Sequence, residues 1–212
     1  MESIFEKVGK RHGYEDVKAE FTPFKDFKVK WMRSYKWINF DVSDYLKDAP
    51  SEVLDGVADT LFRKIKNEDA TYPDVVCDYL TSAEFIEKNQ RRYIQRNRGV
   101  TEDDGALKGA YDRLVASGII ENDPDIVFRW GTTASHKVGH SSVLMKVVIL
   151  NDRLKGADMD VLDYAVYSQV VFVGMGFNAT GENRGDRYND LLDKYPNRFE
   201  TEETLEDMNL SI

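Results

Sequence analysis

A ten-residue pattern occurs twice in this chain, and it limits the folds that the chain can adopt. The pattern Leu-Lys-x-Ala-x-x-x-Val-Leu-Asp runs from Leu46 to Asp55 and again from Leu154 to Asp163. Each copy follows a segment of strand-like composition and opens a segment whose apolar residues recur at helical spacing. Two copies are too few for a solenoid. They indicate either an internal duplication or two uses of one strand-to-helix turn.

Apolar periodicity predicts an α+β fold. Aromatic and β-branched residues alternate within 21–40 and indicate two strands joined by a turn at 33–36. Pro50 suits the first turn of a helix, and the apolar positions that follow predict about 15 helical residues. Further strands are predicted at 126–130 and 143–150, and further helices at 82–96, 106–116 and 161–173. We therefore expect a small, twisted, mainly antiparallel sheet packed with helices, with the 162–173 helix at its centre.

The order of these patterns divides the chain into four segments within one compact domain. They are an N-terminal hairpin and helix at 1–70, a helical middle segment at 71–125, a core at 126–200 and an acidic, flexible tail at 201–212.

Composition restricts the class of protein. The longest apolar stretch, residues 165–177, contains Ser168 and Gln169 and is shorter than the roughly 20 apolar residues that span a bilayer. The N-terminus carries no apolar segment of the kind found in signal peptides. Cys77 is the single cysteine, so no internal disulfide can form. We expect a cytoplasmic protein without a membrane partner.

The C-terminal half resembles the SprT-like and related HExxH zinc metallopeptidases, over roughly residues 126–197. In that group a strand ending in Asn and Leu leads, through a short turn, to a helix reading approximately V-L-D-Y-V-V-x-H-E-x-x-H. Here Lys146–Leu154 and Val161–Tyr167 are similar to that strand and to the start of that helix. Tyr188–Pro196 is similar to the closing helix of the group, and residues 33–65 are also similar to a larger, archaeal-type set of these proteins. The resemblance implies a zincin-like central helix.

The same resemblance implies that the chemistry of the group is absent. Its register places Ser168 at the first His, Gln169 at the Glu and Phe172 at the second His, with Arg184 near the third ligand. The reaction needs two imidazoles one helical turn apart on zinc and a carboxylate that takes a proton from the metal-bound water. Ser, Phe and Arg cannot replace those ligands, and Gln cannot accept the proton.

We therefore expect a non-catalytic pseudo-metallopeptidase with no metal and no other cofactor. The degenerate positions Ser168, Gln169, Phe172 and Arg184 then line a cleft that retains a peptide or protein partner. The residues expected beside them are Tyr164, Tyr167, Tyr188 and His140.

An active hydrolase with a rebuilt site is the main alternative. His136 and His140 have the i, i+4 spacing of a zinc pair, although Gly139 lies between them. Acids at Asp163, Glu182 and Asp186 could add ligands or a base.

Three other binding functions remain open. Residues 88–98 carry five basic side chains with Tyr93 among them, which could form a nucleic-acid-binding face. The net charge of −9 disfavours that interpretation, and a solvated helix face explains the pattern equally well. Val170–Ala179 matches a strand followed by GxGxxA, as in dinucleotide sites, but no second strand is predicted after it. Trp31, Trp37 and Trp130 could form a binding surface, although core positions are more usual for such residues.

Overall fold

A computed structural model describes residues 1–132 and 136–212 and confirms the α+β class. The chain forms two compact units, and the boundary between them lies within one long helix, after Asn89. The first unit contains Met1–Asn89 and Phe177–Glu182, and the second contains Gln90–Gly176 and Asn183–Ile212. This division differs from the four segments expected from the sequence.

The first unit is a three-stranded sheet with helices packed on it. Its elements are α1 (Glu2–Arg11), β1 (Asp16–Thr22), β2 (Val29–Arg33), β3 (Trp37–Ser43), a 3-10 helix (Asp44–Leu46), α2 (Ser51–Ile65), α3 (Asp74–Leu80) and the first half of α4 (Ala83–Arg96). The strand order is β1-β3-β2, with β1 parallel and β2 antiparallel to β3.

Several local predictions in this unit are confirmed. The hairpin of β2 and β3 turns at residues 34–36, and α2 covers the 15 residues after Pro50. Helix α4 begins at Ala83, close to the start of the helix predicted at 82–96, and the Ser82 hydroxyl caps it by accepting the Phe85 amide at 3.2 Å. The sequence reading missed β1, because Val17 and Ala19 are the only residues of that strand with full burial. Two small apolar positions among charged neighbours give a weak signal.

The second unit is a four-stranded sheet with helices packed around one apolar helix. After the end of α4 its elements are β4 (Val100–Glu102), α5 (Ala106–Ala116), β5 (Val127–Gly131), β6 (Gly139–Ser142), β7 (Val147–Asn151), a 3-10 helix (Asp152–Leu154), α6 (Met159–Gly174), α7 (Gly185–Leu192) and α8 (Arg198–Asp207). The strand order is β4-β5-β7-β6, with only β5 and β7 parallel.

Helix α6 occupies the centre of the second unit, as the sequence predicted. It contacts α5, β6, β7, α7 and α8, and every position from Tyr164 to Val170 is buried. An apolar surface around the whole helix is what such enclosure requires. All five residues of β7 are buried as well, which explains the unbroken apolar run of its first four residues.

The expected single, mainly antiparallel sheet is corrected to two small mixed sheets. The strand predicted at 143–150 begins only at Val147, because Lys146 adopts a positive φ of 48° and turns the chain. The polar segment between the two predicted strands, where no strand was expected, contains the edge strand β6. Part of that segment, residues 133–135, lies outside the described residues.

The expected flexible tail is corrected to an ordered element. Residues 198–207 form α8, and the side chains of Leu205 and Leu210 are buried in the core of the second unit. The backbone amide of Ser211 also donates to the carbonyl of His136 at 2.7 Å. The acidic composition suggested disorder, whereas burial of these two leucines holds the segment against the core.

The two units repeat one topology. In each, a helix, a strand, an antiparallel edge strand and a central strand are followed by a 3-10 helix and a long helix. Leu46 and Leu154 end the two 3-10 helices, and Ser51 and Met159 begin the two long helices, at a constant offset of 108 positions. This agreement favours internal duplication over two independent uses of one turn.

Candidate functional site

The approach to α6 is fixed by a buried asparagine at the end of β7. The side chain of Asn151 accepts the Arg153 amide at 3.1 Å and donates to the Lys137 carbonyl at 3.1 Å. The first of these bonds closes an Asx turn that starts the 3-10 helix. Gly156 then takes a φ of 80°, which favours glycine, before α6 begins. The register of α6 is therefore set by its own entry turn.

Ser168 and Gln169 are enclosed in the second unit. Ser168 is fully buried, and its hydroxyl donates to the carbonyl of Ala165 at 2.8 Å. The side-chain amide of Gln169, which is 8% exposed, donates to the Ser168 hydroxyl at 3.4 Å. Both side chains thus use polar atoms within α6 itself, as Ser and Thr often do inside helices.

Phe172, one helical turn after Ser168 on α6, forms an aromatic pair with Tyr188 of α7. Their ring centroids lie 5.7 Å apart in an edge-on arrangement, and Phe172 is 40% exposed. The Tyr188 hydroxyl donates to the backbone carbonyl of Ser168 at 3.2 Å. The structure therefore brings Ser168, Phe172 and Tyr188 close to one another.

Burial raises the pKa of Tyr188 to about 12. The hydroxyl stays protonated at neutral pH and acts as a hydrogen-bond donor rather than as a base.

Arg184 caps the C-terminal end of α6. Its Nη1 donates to the carbonyls of Met175 at 3.0 Å and Gly176 at 2.9 Å. These carbonyls lie where a helix leaves acceptors unsatisfied and where a positive charge is favourable. The residue expected near the third zinc ligand therefore has a structural task at the end of the same helix.

Tyr164 and Tyr167 are enclosed in the core of the second unit. The Tyr164 hydroxyl donates to Glu202, and the Tyr167 hydroxyl donates to the Leu191 carbonyl at 2.5 Å. Both rings also contact Tyr195, with centroids 4.8 and 5.0 Å away. Burial raises the pKa of both hydroxyls, and the hydrogen bond to Glu202 raises that of Tyr164 further. These two residues join α6 to α7 and α8 rather than offering groups to a ligand.

The residues of the alternative, rebuilt site are engaged elsewhere. His140 lies on β6 and forms a 3.0 Å hydrogen bond between Nε2 and the Asn97 amide oxygen, while His136 bonds to the Asn209 carbonyl at 3.3 Å. Asp163 accepts from Arg113 Nε at 3.0 Å. Glu182 belongs to the first unit, while the other residues of that alternative belong to the second. Across residues 1–132 and 136–212, no three His, Cys, Asp or Glu side chains cluster as a metal would need.

The structure changes the interpretation of two further sequence motifs. Within the basic 88–98 segment, Tyr93 is buried and Lys88 forms an ion pair with Glu84 at 2.7 Å. The Tyr93 ring is therefore not available to stack on a nucleic-acid base. Val170–Val173 is helical, so the dinucleotide interpretation, which needs a strand there, is wrong. Every helix in the described part of the chain is too short or too polar to cross a membrane.

Sequence reasoning missed an exposed surface in the first unit. Trp31 on β2 was expected in the core but is half exposed, whereas Trp130 is buried as expected. The signal that could have found it is the alternation of basic and aromatic residues between Phe24 and Trp37.

Comparison of the chain with protein-family models, with curated proteins and with solved structures gave no match.

Proposed function

We propose that this protein is a non-catalytic relative of the HExxH metallopeptidases that acts by binding a peptide or protein partner. The observation that carries the proposal is the burial and internal hydrogen bonding of the two polar side chains at the degenerate motif. Ser168 and Gln169 bond to α6 and to each other and are withdrawn from solvent. A catalytic serine or a base would need access to a substrate.

The residues at this site do not fit zinc. A serine hydroxyl that donates to its own helix, a carboxamide, a phenyl ring and a guanidinium bound to two carbonyls supply no ligand set for a divalent cation. A zinc-dependent step has no support from these side chains.

Phe172 and Tyr188 are the part of the site that can meet a partner. Phe172 follows the buried Gln169 by less than one helical turn and keeps a partly exposed ring whose orientation is held by Tyr188. An aromatic ring held by a neighbour loses little side-chain entropy on binding, so it is a suitable anchor for an apolar side chain. We infer that an apolar residue of the partner packs against this pair.

The proposal is tested by restoring the motif. The triple variant Ser168→His, Gln169→Glu, Phe172→His should gain zinc affinity that the native chain lacks, because its imidazoles lie one helical turn apart on α6. Zinc should raise the melting temperature of the triple variant, or restore its folding if the buried imidazole at 168 destabilises it. Thermal unfolding with and without zinc measures both effects.

The matched control is Glu2→His, Glu6→His, which places a bare imidazole pair on exposed positions of α1. A triple variant that gains no more zinc-dependent stability than this control would contradict the relationship to the zinc enzymes. Native protein that cleaves peptides in a zinc-dependent way would contradict the non-catalytic function.

A further inference from the structure

A short segment of the first unit carries a charge opposite to that of the whole chain. Residues 24–37 contain five basic side chains and one acidic side chain, whereas the chain has a net charge of −9. The basic residues are Lys25, Lys28, Lys30, Arg33 and Lys36, and the acidic one is Asp26. We call residues 24–37 the basic hairpin. It consists of the residues leading into β2, β2 itself, the turn after it and Trp37, the first residue of β3.

The basic hairpin also exposes large apolar side chains. Trp31 is 48% exposed, Met32 64% and Tyr35 92%. Trp31 is the cross-strand neighbour of the buried Phe40, so it lies on the face of the sheet against which the helices pack. The helices do not extend over β2, and Trp31 therefore stays exposed. Exposed Trp and Tyr rings that lie close together in the sequence are unusual away from binding surfaces.

Strand β2 is the edge of its sheet, so both of its faces and one backbone edge are accessible. Its side chains alternate between these faces: Trp31 and Arg33 lie on the face of the buried Phe40 and Ile38, and Lys30 and Met32 lie on the other, so an extended ligand along the open backbone edge can meet both sets. Lys28 and Lys30 place their ammonium groups 4.9 and 5.3 Å from the centroid of the Phe24 ring, which holds the two charges on the same side.

Most of this charge is not neutralised by the protein. Within residues 1–132 and 136–212, the basic hairpin forms a single ion pair, between Lys36 and Glu15 at 2.7 Å. Asp41 is the cross-strand neighbour of Lys30 and reduces the local charge without forming an ion pair with it. Lys28, Lys30 and Arg33 remain available to an anionic partner.

We propose that the basic hairpin binds single-stranded nucleic acid. Unpaired bases stack on Trp31 and Tyr35, and phosphates meet Lys28, Lys30 and Arg33. Proteins that hold single strands without sequence preference combine a positively charged track with exposed aromatic rings in this way. A duplex offers no free base faces to the rings, and an acidic peptide would use the charges without needing two exposed rings. The proposal is independent of the proposed function at α6.

The test uses the full chain and fluorescently labelled oligothymidylate and oligouridylate of about 12 nucleotides, a length within the range covered by single-strand binding modules. We expect binding at low salt that weakens as salt rises, and quenching of tryptophan emission through stacking on Trp31. Trp31→Ala and Tyr35→Ala should each lower the affinity about tenfold. Tyr35 is almost fully exposed, so its variant should fold even if the Trp31 variant does not.

Charge is tested by Lys28→Ala, Lys30→Ala, Arg33→Ala, which should reduce the slope of log affinity against log salt by about 2 to 3. The matched control removes three exposed positive charges elsewhere, at Lys7, Lys10 and Arg187, and should leave most of the affinity intact.

Three results would overturn the proposal. They are no binding of either oligonucleotide at low salt, binding that the two aromatic variants leave unchanged, and equal or tighter binding of a poly-glutamate peptide. Tight binding of duplex DNA that is insensitive to Trp31→Ala would also count against stacking.

Discussion

Ser168 and Thr60 occupy equivalent positions in the two long helices, at the 108-position offset that relates the two units. Both are buried, and each hydroxyl donates to a carbonyl of its own helix, Thr60 to Gly56 and Ser168 to Ala165, both at 2.8 Å. A small hydroxyl residue at this position therefore serves helix packing in both units. At the scale of single residues, the degenerate site looks like an ordinary helix interior with one exposed ring.

Among the residues at this site, Arg184 is the one whose removal should lower the stability of the protein most. Arg184→Ala deletes both hydrogen bonds to the C-terminal carbonyls of α6 and should lower the free energy of unfolding by about 1 to 2 kcal/mol. Arg187→Ala, at an exposed position of α7, should change it by less than about 0.5 kcal/mol. Urea denaturation of both variants measures the difference. Equal effects would show that Arg184 does not hold the end of α6.

At the scale of elements, α6 and its neighbours are joined by tyrosine hydroxyls. Tyr188 extends from α7 to the backbone of α6, and Tyr195 follows α7 and packs against Tyr164 and Tyr167. Burial raises the pKa of Tyr188 and of Tyr195 to about 12. The folded state therefore favours the neutral phenols.

This packing predicts how the protein responds to alkali. A folded-state pKa above the unfolded value of about 10 gives a stabilising contribution that is complete below pH 10 and is lost as pH rises towards 12. The phenolate absorbance of the folded protein should therefore rise with a late component, and stability should fall over the same range. Tyr188→Phe should remove amplitude from that late component. Loss of amplitude near pH 10 instead would mean that Tyr188 is solvated.

The elements also show how far the sequence could predict the structure. Helices α2, α5 and α6 were predicted because their apolar residues recur clearly at helical spacing or form a long apolar run. Strand β6 was missed because Gly139, His140, Ser141 and Ser142 are polar, and what makes them a strand is pairing with β7, a long-range contact. The tail was misjudged because Leu205 and Leu210 find their places only once the core exists.

The candidate site was only partly predictable from the sequence. The register placed Ser168, Phe172 and Tyr188 near one another, and the structure agrees. Burial of Tyr164 and Tyr167 was not foreseen, since their hydroxyls meet Glu202 and the Leu191 carbonyl only through packing of α7 and α8. Exposure of Trp31 depends on where the helical cover ends, which no local pattern records.

At the scale of the whole molecule, the chain consists of two units that repeat one topology. Each unit also has an ion pair between the first helix of the repeated topology and its long helix, Arg11 of α1 with Asp55 of α2 at 3.1 Å and Arg113 of α5 with Asp163 of α6 at 3.0 Å. In the first unit, the positions that correspond to Ser168, Gln169 and Phe172 are Thr60, Leu61 and Lys64, which are also unsuited to hold zinc. Neither copy of the long helix carries the ligand set of an HExxH zinc site at these positions.

The central proposal is that α6 is a metallopeptidase-like helix without its metal. The most direct measurement is elemental analysis of the purified native chain after equilibration with zinc and removal of the unbound metal. Our account predicts no stoichiometric zinc, because the side chains at the degenerate motif bond to α6 itself. One zinc per chain would contradict it.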